Sequence, residues 1–124
     1  MNVYLAGPMR SIPHFNFPAF FKAADILRKQ GYKVFNPAER DVKKYGEKVS
    51  SSPTGNIKTA QKGVGFSIRE ALAADTKYIC MDADAIALLP GWKKSKGACA
   101  EHALALALGH KVLYIDKNFN ITEK

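Results

Sequence analysis

No apolar run in the chain approaches the roughly 20 residues that a membrane-spanning helix requires, so no membrane partner is expected. The first residues lack the basic, apolar and cleavage-site regions of a signal peptide, and a cytoplasmic location is the expectation. Cysteine is scarce, with only Cys80 and Cys99 present. Both lie among apolar residues at no metal-ligand spacing. That favours two free, buried thiols in a reducing compartment over a disulfide. The sequence carries no internal repeat and no convincing metal-binding cluster. Acidic residues are the minority, 11 against 19 Lys and Arg, giving a net charge of +8. The excess points to an anionic partner such as a phosphorylated small molecule, with most lysines read as solvated surface. Nucleic acid, bound through a basic segment, is the lesser reading. What remains is ordinary for one globular domain: 124 residues, 47% hydrophobic and 24% charged, enough for one core.

Taken in order, strands and helices alternate. Residues 2 to 6 form a short apolar strand ended by Gly7 and Pro8. Asn16 is a candidate N-cap for a helix reaching about Gln30, with Pro18 in its first turn. Phe17, Phe20, Phe21, Ala24 and Leu27 make its apolar stripe, and Gly31 stops it. Tyr32 to Phe35 is a second strand, which completes a βαβ unit. From about 40 to 65 the chain is rich in Lys, Ser and Gly and is expected to be a flexible insertion at the mouth of the sheet. One short helical turn is expected within it, near Asp41 to Tyr45. Ser67 and Glu70 have capping-box spacing before a helix ending at Ala74, and Asp75 reads as the cap of a second helical piece, Thr76 to Met81. Lys111 to Ile115 is a fourth strand, and residues 119 to 122 suit an edge strand. This pattern predicts an α/β single domain, flavodoxin-like or Rossmann-like, with a parallel sheet of four to five strands and helices on both faces. Ligands of such sheets bind beyond the carboxyl ends of the strands.

The stretch from Asp84 to Leu108 holds the oddest residue. A strand, Ala85 to Leu89, ends at Pro90 and Gly91, and a helix runs from about Gly97 to Leu108. Apart from Glu101 and His102 that helix is Ala, Leu, Cys and Gly, so it reads as buried on every face. A carboxyl there is costly unless paired, hydrogen-bonded or protonated. Either Glu101 is one half of a buried ion pair or it is a catalytic group. The helix start can hold an anion through its backbone N–H groups. Ser95 and Lys96 stand there, and Gly97 allows close approach, although Ser95 is also a plain N-cap candidate. Arg10, in the loop after the first strand, is placed for an anion or for solvent. Tyr4 packs in the core or reaches the site through its hydroxyl. Trp92 stacks on a base or shields the site. His102 faces away from Glu101, and Asp82 and Asp84 lie at the wrong end of the sheet for a ligand.

These residues carry a resemblance. Tyr4-Leu-Ala-Gly-Pro-Met9, then Asp75, then Asp84-Ala-Ile-Ala-Leu-Leu-Pro-Gly-Trp92, then Ser95-x-Gly97-Ala98-x-x-Glu101 resemble the nucleoside 2-deoxyribosyltransferase superfamily. Within it the closest branch is the DUF4406 type, found in phages and bacteria. The resemblance runs from about residue 2 to 115, excluding 40 to 65, and Ser-x-Gly-x-x-x-Glu is its most specific part. It implies cleavage or exchange of the N-glycosidic bond of a nucleoside or nucleotide without cofactor or metal. Glu101 would then be the nucleophile at C1′ of the sugar, Asp75 the second acid and Tyr4 the residue that orients the nucleophile. Gly7, Met9, Arg10, Trp92, Ser95, Lys96 and Gly97 would bind substrate. Ser95 and Arg10 occupy the places that hold phosphate in the deoxynucleoside 5′-monophosphate glycosidases. The expectation is hydrolysis of a (deoxy)nucleoside 5′-monophosphate by a homodimer or higher homo-oligomer. The alternatives are base exchange by a deoxyribosyltransferase and a non-catalytic nucleotide-binding or sensing module. The resemblance leaves no recognisable base-binding segment in 40 to 65. Asn118 and Asn120 are only loose matches for an asparagine that some transferases lend to a neighbouring subunit.

Overall fold

The first strand, β1 (Asn2–Ala6), alternates faces, and this divides the interior in two. Val3 and Leu5 point to one core; Tyr4 and Ala6 point to the other. The computed structural model describes residues 1–123. After β1 come α1 (Phe17–Lys29), β2 (Lys33–Phe35), α2 (Pro37–Tyr45), α3 (Ile57–Val64) and α4 (Ile68–Met81). The chain ends with β3 (Ala85–Leu88), α5 (Lys96–Ala107), β4 (Lys111–Ile115) and β5 (Ile121–Glu123). The sheet order is β2-β1-β3-β4-β5, with the first four strands parallel and β5 antiparallel to β4. The expected α/β, flavodoxin- or Rossmann-like architecture is what the chain adopts. The first connection leads to one side of β1 and the second to the other, so strand order reverses between β1 and β3. Among the described residues no helix is long and apolar enough to cross a membrane.

One core holds Phe17, Phe20, Ala23, Ala24 and Leu27 of α1 against Val3, Leu5, Ala87 and Leu113 of the sheet. The opposite core sets Ile79 of α4 and Ala98 and Ala105 of α5 against Tyr4, Ile86, Leu88 and Val112. At the N-terminal edge, Asp84 Oδ2 accepts from the Asn2 backbone N–H at 2.8 Å, and Asp82 O accepts from the Asn2 amide at 3.0 Å. Both aspartates therefore fasten the sheet, away from the ligand-binding edge.

The structure corrects several expectations. Residues 40 to 65 are not a long loop. α2 starts at the Asn36 cap, whose Oδ1 accepts from Ala38 N at 2.9 Å, with Pro37 in its first turn. α3 is capped by Asn56, presents Ile57, Ala60 and Val64 inward, and stops at Gly65 with φ 72°. α2 takes in the turn expected at Asp41 to Tyr45 but starts earlier, at Pro37, and the polar composition concealed α3 altogether. α4 is one continuous helix, so Asp75 is not a cap. It shares the inner face with Ile79 four residues on, both buried. Ser67 does cap α4, accepting from Glu70 N, but the Glu70 carboxylate turns to Lys44 instead of back to the cap. Asn16 does not cap α1; its side chain donates to Pro8 O at 3.0 Å while its own backbone is left-handed. Cys80 is exposed and Cys99 half-buried, both free. α5 is not covered all round, with Leu106 54% exposed, because no element among the described residues packs on its outer side.

The segment between α2 and α4 roofs the β1–α1 loop. His14 N donates to Ser52 O and Ser11 N to Gly55 O, each at 2.9 Å. These bonds hold three successive non-glycine residues, His14, Phe15 and Asn16, at positive φ, a costly conformation for each. Gly55 closes the contact. A Cβ there would stand 2.2 Å from Ile12 O, and its φ is 70°. Gly55→Ala is therefore expected to destabilise the fold by at least about 1 kcal/mol. Gly63, inside α3 with open space around it, is the control, where Ala should stabilise by up to about 1 kcal/mol. Urea denaturation of both variants checks this, and equal effects would refute the roof contact.

Candidate functional site

A cleft of about 920 Å³ opens at the carboxyl ends of β1 and β3, where the strand order reverses. At its floor Tyr4 donates its phenolic O–H to Glu101 Oε2 at 2.7 Å, with both residues buried. Strand register sets Tyr4 beside Phe35 of β2 on one side and Ile86 of β3 on the other. The Tyr4 ring stacks on Phe35 at 5.6 Å, and Phe35 stacks on Tyr78 at 4.6 Å. This aromatic column fixes where the hydroxyl points. Asp75, from α4, lines the same cleft, and its charge acts on both Tyr4 and Glu101. On the far side of Asp75 stands Arg40, its Nη1 2.6 Å from Asp75 Oδ1. Its Nε lies 2.8 Å from Asp41 Oδ1, and its guanidinium lies 5.8 Å from the Phe35 ring centre.

The charges are unequal in their support. Burial, and then the nearby Asp75 charge, push the Glu101 carboxyl up to about 8, against the pull of the Tyr4 hydrogen bond. Burial also raises Asp75, but the Arg40 charge and hydrogen bond oppose it. Burial takes Asp41 up to about 6, again opposed by Arg40. Burial, followed by the charges of Glu101 and Asp75, keeps the Tyr4 phenol protonated, which is why it acts as donor. At neutral pH the Glu101–Asp75 pair therefore retains a proton.

At the cleft's other end lies the start of α5. Ser95 Oγ accepts from Ala98 N at 3.1 Å, so the plain capping role is real; its hydroxyl hydrogen remains available to a ligand. Lys94 and Lys96 stand beside Ser95, and Arg10, from the β1–α1 loop, lines the same cleft with no ion-pair partner among the described residues. Nothing lies nearer than 4.0 Å to where a Gly97 Cβ would be, so the α5 backbone is open to approach. Gly7 and Met9 also line the cleft. Gly7 has a packing reason too, since a Cβ there would meet Leu89 Cβ at 2.7 Å. Trp92 does not line the cleft. Its ring lies against His102, centres 4.5 Å apart, which also accounts for His102.

The structure thus gathers Tyr4, Asp75, Glu101, Gly7, Met9, Arg10, Ser95, Lys96 and Gly97 into one cleft and leaves Trp92 out. Arg40 and Asp41 were missed by sequence reasoning. They stand just past the end of β2, at the ligand-binding edge of the sheet, but inside the segment whose helices were hidden by its polarity. Phe15, Val49, Ile57, Ala60 and Phe66 supply an apolar wall from α3 and the loops, equally invisible before folding.

The raised carboxyl has a consequence for stability. Between about pH 4.5 and 8 the folded protein holds the Glu101 proton that the unfolded chain has released. Stability from that proton is complete below about pH 4.5 and lost as pH rises through about 8, at up to roughly 1.4 kcal/mol per pH unit. Glu101→Gln, neutral at every pH, should flatten this decline. Urea denaturation should show a larger gain over wild type near about pH 9 than near about pH 5. A gain independent of pH would contradict a buried, proton-holding Glu101.

Comparison with known proteins gives one match. The family model described as a domain of unknown function, DUF4406, matches residues 1–114. No curated protein and no solved structure matches the chain. With the cleft's residues from Tyr4 to Glu101 all inside the matched span, the chain belongs to the DUF4406 family.

Proposed function

We propose that this protein hydrolyses the N-glycosidic bond of a (deoxy)nucleoside 5′-monophosphate, releasing free base and sugar 5-phosphate. The observation that carries the reading is the buried Glu101 carboxyl, held by the Tyr4 hydroxyl at 2.7 Å beside Asp75. A module that only binds nucleotides has no need of such a group. In this reading the phosphate lies at the start of α5, against Ser95, Gly97, Lys96 and Arg10. Six residues of helix, about 9 Å of rise, lead from there to Glu101, where the sugar sits. The Glu101 carboxylate forms a bond to C1′ as the C1′–N pair leaves with the base. An oxocarbenium-like transition state is stabilised by the facing anion. Asp75 delivers a proton to the departing nitrogen. Water then attacks C1′ of the ester, its proton passing to the Asp75 carboxylate as the C1′–O bond to Glu101 breaks, which frees Glu101 and restores the proton of the site. The apolar wall of Phe15, Ile57 and Phe66 suits the flat face of a base.

Chromatography of products from a panel of nucleosides and 5′-monophosphates, with and without a second base, tests this. Free base from a monophosphate alone is expected. A new nucleoside formed only with added base would make the protein a transferase, and binding without turnover would make it a sensor. Glu101→Gln should lower turnover by at least about 100-fold while nucleotide binding persists. Ser95→Ala and Arg10→Ala should weaken monophosphates more than nucleosides, and equal losses would remove the phosphate site.

The protein is further proposed to act as a homodimer or higher homo-oligomer. Leu106 is exposed, as are Ala100, Ala103 and Ala107 of α5. A helix with so little polarity is expected to be covered, and Ala100 of α5 also borders the cleft. Sedimentation should give a dimer or larger species for the wild type and a monomer for Leu106→Glu. A monomeric wild type at micromolar concentration would overturn the proposal.

A further inference from the structure

Arg40 serves two buried carboxylates with one guanidinium. The Arg40 side chain is 19% exposed, those of Asp41 and Asp75 only 4% and 10%. Glu101 and Tyr4, hydrogen-bonded to each other, line the same cleft as Asp75 and feel its charge, so five groups are coupled: Asp41, Arg40, Asp75, Glu101 and Tyr4. Three carboxyls share a single cation. Full ionisation would bury excess negative charge, which the surroundings do not support. Geometry decides which carboxyl stays protonated. Asp75 has a charge-assisted bond at 2.6 Å, whereas Glu101 has only a neutral phenol. At rest the proton therefore lies on the group that must become the nucleophile.

We propose that Arg40 is a positioning residue that sets the resting place of this proton, holding Asp75 as an anion against Glu101. Asp41 moderates the hold by sharing the same guanidinium. This rests on the N-glycosidase reading given above. As the sugar settles, Asp75 takes the proton from Glu101, which leaves a carboxylate to attack C1′. The same proton then passes from Asp75 to the base nitrogen as the C1′–N bond breaks. One proton moves twice, and the water that hydrolyses the ester replaces it. The site needs its proton kept, and Arg40 keeps it on the correct side until substrate arrives.

Few other charges face these groups. α4 places Ala71 and Ile79 four residues either side of Asp75. α5 contributes only Glu101, since His102 turns to Trp92. β1 contributes Tyr4, and α2 contributes Arg40 and Asp41. Lys44 of α2 is engaged with Glu70 at 2.7 Å on the exposed side. Lys94 and Lys96 at the start of α5 and Arg10 of the β1–α1 loop also line the cleft.

The test is a titration of the free protein, carrying ¹³C-labelled carboxyls, by NMR. Arg40→Gln removes a cation and should move the Glu101 and Asp75 titrations to higher pH by about one unit or more. Asp41→Asn removes an anion, keeps the Arg40–Asp75 pair, and should move them to lower pH. Opposite shifts are the signature, and a purely structural Arg40 would not produce them. Unchanged titrations, or shifts in the same direction, would overturn the proposal. If Arg40→Gln fails to fold, Asp41→Asn decides alone, by a downward shift or none. In turnover, Arg40→Gln should lower kcat by about tenfold or more with KM nearly unchanged, and Arg40→Lys should restore part of it. A loss confined to KM would make Arg40 a substrate-binding group and overturn its positioning role. Opposite titration shifts without wild-type turnover would uphold the proton placement and refute the N-glycosidase reading.

Discussion

A carboxyl kept out of water at the end of a parallel sheet is the constraint on which the rest of this structure depends. Glu101 would be costly to bury alone. It is tolerated because Tyr4 donates to it and because it can keep its proton. Both conditions require neighbours from far along the chain. Tyr4 comes from the first strand, Asp75 from α4 and Arg40 from α2. The parallel sheet brings them together by opening the carboxyl ends of β1, β2 and β3 on the same edge. The reversal of order between β1 and β3 leaves room there for a ligand.

The aromatic column of Tyr4, Phe35 and Tyr78 ties that site to the core. Tyr4 belongs to the sheet's buried face, so its hydroxyl is placed by packing rather than by a mobile loop. The opposite wall is built differently. The β1–α1 loop carries Met9 and Arg10 and passes through left-handed residues that only tertiary contacts stabilise. Those contacts come from the segment between α2 and α4, through Ser50, Ser52 and Gly55. A rigid, buried wall with acid groups thus faces a strapped, basic wall. The proposed N-glycosidase chemistry would use the first wall for its nucleophile and the second for an anion.

Some of this was legible in the chain. The alternation of strands and helices gave the architecture because strand and helix periodicities differ. The Ser95 cap and the incongruity of Glu101 in an apolar helix identified the cleft's two ends. The signals that failed were of two kinds. Composition misled for residues 40 to 65, where Lys and Ser on the outer faces masked the Ile57, Ala60 and Val64 spacing. Local context misled at Asp75, where an acidic residue after two alanines resembled a cap. It is instead an inner-face position of an unbroken helix.

The sequence by itself determined the class of fold, the helix that begins at Ser95, and the presence of one carboxyl that apolar surroundings cannot leave unsupported. Those features depend on residues within a turn or two of each other, so local patterning encodes them. Only the tertiary structure decided what supports that carboxyl. The partners of Glu101 lie 97 residues away at Tyr4 and on another helix at Asp75. Arg40 meets Asp75 across 35 residues. Such pairings carry no periodic signal. They arise when strand order and helix packing bring separate segments to one edge, and the placement of the proton among them is a property of that assembled charge set.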